Sequence, residues 1–250
     1  MISRRLIARL DIKNKNLIKP INLEGLRIVG DPNKYAKKYY SEGIDEILFM
    51  DTVATLYSRN HLADIIEKIT REIFIPITVG GGIRSLSDVK ELLNCGADKV
   101  AINTAAVKNP KLIKEIADSI GSQSLVISID AKRKSEKNWE VYVNNGRDRT
   151  GIDVIEWIKR AEKMGAGEIL ITSIDQEGTR KGFDYDLAQV SHKIASIPII
   201  ISGGCGDLQH INLLKSKTEI DAIAIADCIH YNRIPIKELK EVLNKKNSNS

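Results

Sequence analysis

The sequence has few of the residues that mark disulfide-rich, metal-binding or membrane-spanning proteins. Its three cysteines are odd in number and lack the paired spacing of a zinc site. We therefore expect reduced thiols and a cytoplasmic location. No apolar segment approaches the length of a membrane span, and the stretch "MISRRLIARLD" lacks the long apolar core of a signal peptide. The sequence thus predicts no membrane association.

Aromatic residues and an excess of one charge are also scarce. Phe, Trp and Tyr make up 5% of the chain, and 38 basic residues face 33 acidic ones, which gives a net charge of +5. No basic block with interleaved aromatic residues is present, so nucleic-acid binding is not expected. The small positive excess favours anionic ligands slightly, and a generally solvated surface explains it equally well.

Proline is rare as well, with six residues, and no Pro/Ser-rich linker interrupts the chain. The length of 250 residues is usual for a single domain of the eight-fold β/α barrel type. We therefore expect one domain over residues 1–243. The last residues, "NKKNSNS" at 244–250, predict a polar disordered tail.

What the sequence does contain is an internal repeat. The stretch "FIPITVGGGIRS" at 74–85 returns as "SIPIIISGGCGD" at 196–207, and "EILFMD" at 46–51 returns as "EILITS" at 168–173. Two further strand-like segments return in the same order, at offsets of 119 to 123 residues. This period is far too long for a solenoid unit and indicates a duplicated half-domain of four strand–helix units.

The repeated segments alternate with amphipathic helical patterns, which predicts a parallel sheet. Asp31, Asn109 and Thr150 are candidates for residues at or near helix starts. With the duplication, a closed sheet is favoured over an open one. The sequence therefore predicts an α/β fold, a (β/α)8 TIM barrel built from two duplicated half-barrels.

Two aspartates are expected at the mouth of this barrel, where active sites of the fold form. In the first strand Leu6 and Leu10 alternate with Asp11, and in the fifth strand Ile129 precedes Asp130. Because the apolar faces must pack on helices, Asp11 and Asp130 should point inward from opposite sides of the mouth. Such a pair suits general acid–base catalysis, whereas a single aspartate at this place would be explained by capping of its own loop.

The glycine clusters that end the repeated strands predict two anion-binding seats. Gly80 to Gly82, with Asn103 and Thr104, end the third and fourth strands, and Gly203 with Gly204 ends the seventh. Glycines expose backbone N–H groups to an anion, although one such cluster alone is equally a tight turn. Two seats related by the repeat predict a small-molecule substrate with a phosphate at each end.

Several motifs closely resemble one family over residues 4–243. "VGGGIRS", "GADKVAINTAAVKNP", "GAGEILITSID" and "ISGGCG" are similar to the cyclase subunit of imidazole glycerol phosphate synthase. The resemblance implies an ammonia-dependent lyase of histidine synthesis that works with a separate glutaminase subunit as a heterodimer. Its bisphosphorylated substrate is a phosphoribulosyl aminoimidazole-carboxamide ribotide. No metal ion or other cofactor is implied.

The resemblance also implies roles for individual residues. Asp11 and Asp130 match the acid–base pair, and Lys19 matches a mobile lysine of the first loop that closes over substrate. The residues matched to substrate and phosphate binding are Lys19, Gly82, Asn103, Thr104, Thr172, Gly178, Gly203 and Gly204.

Four charged residues begin strands at the opposite end of the barrel: Arg5, Glu46, Lys99 and Glu168. By alternation each points inward, and a neutral, mutually bonded ring is expected because unpaired buried charges would be very unfavourable. The ring is explained either as a structural plug or, as the resemblance implies, as a gate for ammonia from the glutaminase.

The chain departs from the family pattern at four places. Arg9 shares the inward face with Asp11 and should narrow the ammonia path, and Pro20 should stiffen the first loop. Asp227 replaces a phosphate-holding serine, which puts the second seat in doubt, and Glu177 replaces an aspartate.

These departures leave two main hypotheses open. The first is the cyclase itself, supported by both aspartates and the charged ring. The second is a divergent paralogue that passes glutaminase-derived ammonia to a sugar-amidinating enzyme of surface polysaccharide synthesis. The related isomerase of the same pathway is a third, less favoured hypothesis, because it has no need of the charged ring.

Overall fold

Parallel strands linked by helices make up most of the protein. The structure is a computed structural model that describes residues 4–52 and 62–245. Its strands are β1 (Arg5–Lys13), β2 (Asn16–Ile21), β3 (Glu24–Gly30), β4 (Glu46–Asp51), β5 (Ile77–Gly80), β6 (Lys99–Ile102), β7 (Leu125–Ser135), β8 (Asn138–Val143), β9 (Asp148–Asp153), β10 (Glu168–Ser173), β11 (Ile199–Ser202) and β12 (Ala222–Ile225).

Eight of these strands close into a barrel. The order around it is β10-β11-β12-β1-β4-β5-β6-β7, all neighbours are parallel, and β7 pairs with β10 to complete the circle. The predicted (β/α)8 fold is therefore confirmed. All eight strands point the same way, so their carboxyl ends surround one mouth and their amino ends surround one floor.

Two antiparallel hairpins extend the barrel at its mouth. Strands β2 and β3 continue from β1, and β8 and β9 continue from β7. Each half of the chain thus begins with a long barrel strand followed by a hairpin, an arrangement that supports the predicted duplication. Neither hairpin is predicted by the sequence pattern.

The helices cover the outside of the barrel. They are α1 (Pro32–Ser41), α2 (Leu62–Ile69), α3 (Leu86–Asn94), α4 (Thr104–Lys108), α5 (Lys111–Ile120), α6 (Val154–Lys163), α7 (Tyr185–Ile194), α8 (Leu208–Lys217), α9 (Asp227–His230) and α10 (Ile236–Asn244). Residues 246–250 of the predicted tail lie outside the described residues, so the domain boundary stays a prediction.

The predicted helix starts were partly correct. Asp31 caps α1 by accepting hydrogen bonds from the backbone of Asn33 and Lys34. Thr150 was wrong, because it lies in β9 and Asp153 caps α6 instead. Asn109 makes no side-chain cap, and Pro110 occupies the capping position of α5.

Two separate apolar cores follow from the alternation of the strands. The outward faces, such as Leu6 and Ile129, pack with the helices in one large core. A smaller core fills the middle of the barrel interior and consists of Ile7, Leu48, Ala101, Val126, Leu170, Ile200, Ala222 and Ala224, with Met50 packed against it. The interior is thus a packed apolar belt between a charged floor and a polar mouth.

A buried tryptophan fastens the second hairpin to the outer layer. Trp139 of β8 is fully buried, and its indole N–H donates to Asp184 Oδ2 at 2.9 Å. Asp184 also caps α7 and accepts a 2.6 Å hydrogen bond from Arg133 of β7. One carboxylate therefore joins β7, β8 and α7.

We expect Trp139→Phe to lower the free energy of unfolding more than Trp157→Phe does. Both tryptophans are buried, but Trp157 Nε1 has no hydrogen-bond partner within the described ranges. Both variants lose indole volume, and only Trp139→Phe removes a donor from a buried carboxylate, a difference of about 1–3 kcal/mol. Urea unfolding of the two variants measures it. Equal losses would show that the Trp139–Asp184 hydrogen bond contributes nothing.

Candidate active site

The two predicted aspartates lie where the barrel strands pass into their hairpins. Asp11 pairs with Ile18 of β2, and Asp130 pairs with Tyr142 of β8. Both side chains are buried, with exposures of 1% and 6%. The structure therefore places them at equivalent positions of the two halves, as alternation predicted.

Their surroundings differ. Asp11 Oδ1 accepts a 2.9 Å hydrogen bond from Arg9 Nε, and Asp11 Oδ2 has no hydrogen-bond partner in the described part of the chain. Asp130 Oδ2 accepts from Asn103 Nδ2 at 3.1 Å. Two cavities at the mouth are lined by Arg9; Asp130 lines the larger of these two, and Asp11 lines neither.

The pKa of Asp130 is raised to about 6. Burial is the main cause, and the nearby carboxylates of Asp11 and Glu177 raise it further. The Arg9 guanidinium and the hydrogen bond from Asn103 act in the opposite direction. A carboxyl group with this pKa can both accept and donate a proton near neutral pH.

The larger cavity, of about 320 Å³, holds the first predicted seat. Gly82, Asn103 and Thr104 line it together with Asp130. The Thr104 hydroxyl accepts a hydrogen bond from the backbone of Asn144 at 3.0 Å, which ties this seat to the second hairpin. Two basic residues that the sequence analysis missed, Arg84 and Lys108, line the same cavity.

The second predicted seat is much smaller. Gly178, Gly203 and Gly204 line a cavity of about 20 Å³, which is room for about one water molecule. Lys19 and Glu177 form a buried ion pair along it. The two seats expected from the repeat therefore differ greatly in volume.

The first hairpin closes this smaller cavity. A side chain at Gly178 would meet the Pro20 carbonyl oxygen at 2.7 Å, and Asn22 N–H donates to the Glu177 carbonyl oxygen at 2.8 Å. The β2–β3 register shifts between Lys19 and Ile21, where Pro20 has no N–H to give to the ladder. The predicted first loop is thus a hairpin that lies across the second seat.

Asp227 lines the smaller cavity, as its sequence position suggested. Its Oδ1 lies 3.1 Å from Arg233 Nε and 3.8 Å from Arg180 Nε. The two guanidinium groups therefore offset the negative charge of the Asp227 carboxylate. The expected repulsion of a phosphate is correspondingly reduced.

The four charged residues at the floor form the expected ring. Arg5 binds both Glu46 and Glu168, and Lys99 lies 3.4 Å from Glu46 Oε2 and 2.9 Å from Glu168 Oε2. Thr78 Oγ1 donates to Glu46 Oε1 at 2.6 Å. Two positive and two negative groups alternate, so the ring is neutral. Its geometry is as predicted, and its role as a gate stays a prediction.

Thr172 is the predicted binding residue that the structure does not place at a seat. It is completely buried and lines neither cavity, and its hydroxyl accepts from Arg9 Nη1 at 2.7 Å. Ser202 accepts from the same nitrogen at 3.3 Å. Small hydroxyl residues on inward strand positions are the sequence signal that could have revealed these partners of Arg9.

Residues 4–52 and 62–245 show neither a metal site nor a membrane-spanning helix. Over these ranges no group of three or more His, Cys, Asp or Glu residues is placed to bind a metal ion. Over the same ranges no helix is long and apolar enough to cross a membrane. Cys95, Cys205 and Cys228 are free thiols.

Comparison with known proteins gives one consistent result. Residues 5–235 match the family described as histidine biosynthesis protein. The chain is 60% identical over 212 residues to imidazole glycerol phosphate synthase subunit HisF of Legionella pneumophila, a match that covers 85% of this chain and 100% of the relative. Subunits of the same name from Pyrococcus furiosus and Bacillus cereus (strain G9842) are 49% and 47% identical over 98% and 99% of this chain, and 97% and 98% of their own lengths are covered.

We expect Asp130→Asn to stabilise the protein at pH 7. The pKa of Asp130 is about 6 in the folded protein and near 4 in an unfolded chain, so folding opposes its ionisation. Between pH 4 and pH 6 the folded state binds more protons, and stability falls as the pH rises. Removing the charge should raise the free energy of unfolding by about 1–3 kcal/mol at pH 7 and hardly at all at pH 4.

Urea unfolding at both pH values measures this effect. Asp118→Asn is the control, because Asp118 is exposed and, among the described residues, forms an ion pair only with Lys114. Its change should stay within about 0.5 kcal/mol. A less stable Asp130→Asn variant at pH 7 would contradict the burial argument.

Proposed function

Because the chain belongs to the histidine biosynthesis protein family, we propose that it is the cyclase subunit of imidazole glycerol phosphate synthase. In this role it is an ammonia-dependent lyase. It converts a phosphoribulosyl aminoimidazole-carboxamide ribotide to imidazole glycerol phosphate and aminoimidazole-carboxamide ribotide. The observation that carries the proposal is the pair of buried aspartates at the mouth, of which Asp130 lines a cavity of about 320 Å³ together with the glycine turn at Gly81 and Gly82.

The chemistry needs groups that move protons. When ammonia adds to a carbonyl carbon and the oxygen leaves as water, the nitrogen loses two protons and the oxygen gains two. Asp130 faces the cavity, and a pKa of about 6 suits it to take and return such protons. Asp11 is the second member of the pair, with Oδ2 available for a proton and Oδ1 held by Arg9.

The two phosphates of the substrate would bind at opposite sides of the mouth. Gly82, Asn103 and Thr104 line the open side, where glycine conformation and helix start expose backbone N–H groups. Gly178, Gly203 and Gly204 line the closed side. Binding there requires the Lys19–Glu177 ion pair to open, so Lys19 can then turn its charge to the phosphate.

The charged ring at the floor of the barrel supports the proposal of a glutaminase partner. The neutral ring of Arg5, Glu46, Lys99 and Glu168 lies at the end of the barrel opposite the substrate. A glutaminase subunit that docks at this end as a heterodimer would release ammonia beneath the ring. The free thiols of the chain agree with a cytoplasmic location for the complex.

Asp11→Asn and Asp130→Asn should each lower ammonia-dependent turnover of the ribotide by about 10²-fold or more, because each removes a group that transfers protons. The assay follows consumption of the ribotide with ammonium salt and without any glutaminase. Asp118→Asn, at an exposed carboxylate far from the mouth, should keep full activity. Near-normal turnover in either mouth variant would exclude the proposed catalytic pair.

The proposed glutaminase should form a one-to-one complex with this chain at micromolar concentrations. Lys99→Met should leave the complex intact and lower glutamine-dependent turnover more than ammonia-dependent turnover, because it disturbs the ring and not the mouth. Analytical ultracentrifugation and the two assays measure this. A variant that loses both activities equally would show that the ring acts as a structural plug.

A second candidate function is the transfer of glutaminase-derived ammonia to a sugar-amidinating enzyme. Two observations favour it: the second seat measures only about 20 Å³, and Arg9 occupies the interior above the apolar belt. Complementation of a histidine auxotroph that lacks the cyclase discriminates the two. Growth supports the cyclase, and a folded chain that binds its glutaminase without restoring growth supports ammonia transfer.

A further inference from the structure

Arg9 occupies an unusual place for a charged residue. It lies on the inward face of β1, above Ile7 of the interior apolar belt and below Asp11 at the mouth. Its side chain is 3% exposed. A guanidinium stays protonated at any physiological pH, so its charge must be balanced within the barrel.

Its hydrogen bonds cross the interior of the barrel. Nε donates to Asp11 on its own strand, and Nη1 donates to Thr172 of β10 and Ser202 of β11. Strand β12 lies between β1 and β11, so Arg9 reaches past its immediate neighbour to the two strands beyond. Because the guanidinium is planar and rigid, these contacts fix its orientation and that of the Asp11 carboxylate.

Arg9 also lies between the two cavities. It lines the cavity of about 320 Å³ with Asp130 and the cavity of about 20 Å³ with Lys19 and Glu177. Among the residues that line these two cavities, Arg9 is the one that both share. A ligand that reaches from one seat to the other must pass over it.

We propose that Arg9 is a positioning residue of this active site, which holds the Asp11 carboxylate by one oxygen and presents a fixed positive charge to both cavities. The proposal rests on the cyclase function proposed above. It adds that the acid–base pair does not act as two independent carboxylates. Arg9 sets the electrostatic environment in which Asp130 exchanges protons.

Asp130 reports on this charge. Burial raises the pKa of Asp130, Arg9 lowers it, and Asp11 and Glu177 raise it further. The charged groups that face this region from the surrounding elements are Arg9 and Asp11 of β1, Lys19 of β2, Asp51 of β4, Arg84 after β5, Lys108 of α4, Glu177 and Arg180 after β10, and Asp227 of α9. If Arg9 is removed and the other charged groups are kept, the titration of Asp130 should move to higher pH.

The experiment measures the titration of Asp130 by carbon-13 NMR of the side-chain carboxyl groups, in protein without ligand. Arg9→Met on its own leaves Asp11 buried without its partner, which can unfold the chain. The deciding comparison is therefore between Asp11→Asn and Asp11→Asn/Arg9→Met. Arg9→Lys in the wild-type background keeps the charge and cannot reproduce the contacts to three strands.

We expect the titration midpoint of Asp130 to lie about one pH unit higher in Asp11→Asn/Arg9→Met than in Asp11→Asn. Arg9→Lys should keep a midpoint close to wild type and lower kcat of the ammonia-dependent reaction more than it changes KM, because the charge remains and the carboxylate loses its fixed orientation. An unchanged midpoint on removal of Arg9, or an Arg9→Lys variant with wild-type kcat, would overturn the proposal. The NMR comparison does not require turnover, so a wild-type chain that fails to convert the ribotide would refute the proposed function and leave the role of Arg9 to be decided by the titration.

Discussion

A closed barrel gives its inward side chains no contact with solvent except at the two ends. Polar groups between the two ends must therefore find their partners mainly among other inward groups. At the floor the result is a ring in which Arg5 and Lys99 each bind both glutamates. Above the apolar belt the result is Arg9, which bonds to one carboxylate and two hydroxyl groups. The mouth thus lies above an interior whose charges are balanced in two separate layers.

The duplicated halves have diverged most at the mouth. Each half supplies a long strand, a hairpin and an aspartate, yet the hairpins meet the site differently. The second hairpin is held to the outer layer by Trp139, and a backbone N–H of its turn reaches Thr104 at the edge of the open cavity. The first hairpin lies on Gly178 and brings Lys19 onto Glu177. The two halves therefore share a backbone arrangement, but the first seat is open and the second is closed.

Much of this could be predicted from the sequence because strand alternation and glycine clusters are local properties. Val126 and Asp130 had to face inward once Ile127 and Ile129 faced the helices, and the floor ring followed from strand starts in the same way. The hairpins do not follow from the same patterns, because the sequence around Thr150 resembles a helix start and yet lies in β9. Lys19 fills the second seat because it contacts Glu177, which is 158 residues away in sequence. No local sequence pattern could predict this contact. Thr172 likewise matches a substrate-binding position by resemblance, and the sequence does not show that Arg9 reaches it.

The hairpin across the second seat has a consequence for how tightly any long ligand can be held. Under the proposed function, such a ligand enters this seat only when the hairpin is open, with the Lys19–Glu177 ion pair and the Asn22–Glu177 hydrogen bond broken. The observed dissociation constant is then the intrinsic constant divided by the fraction of molecules that are open. A chain whose hairpin opens rarely binds its substrate weakly and slowly even when every contact in the bound state is favourable. Substitutions that change only the stability of the closed hairpin would therefore change the affinity for the ligand, even when no residue that contacts the ligand is altered.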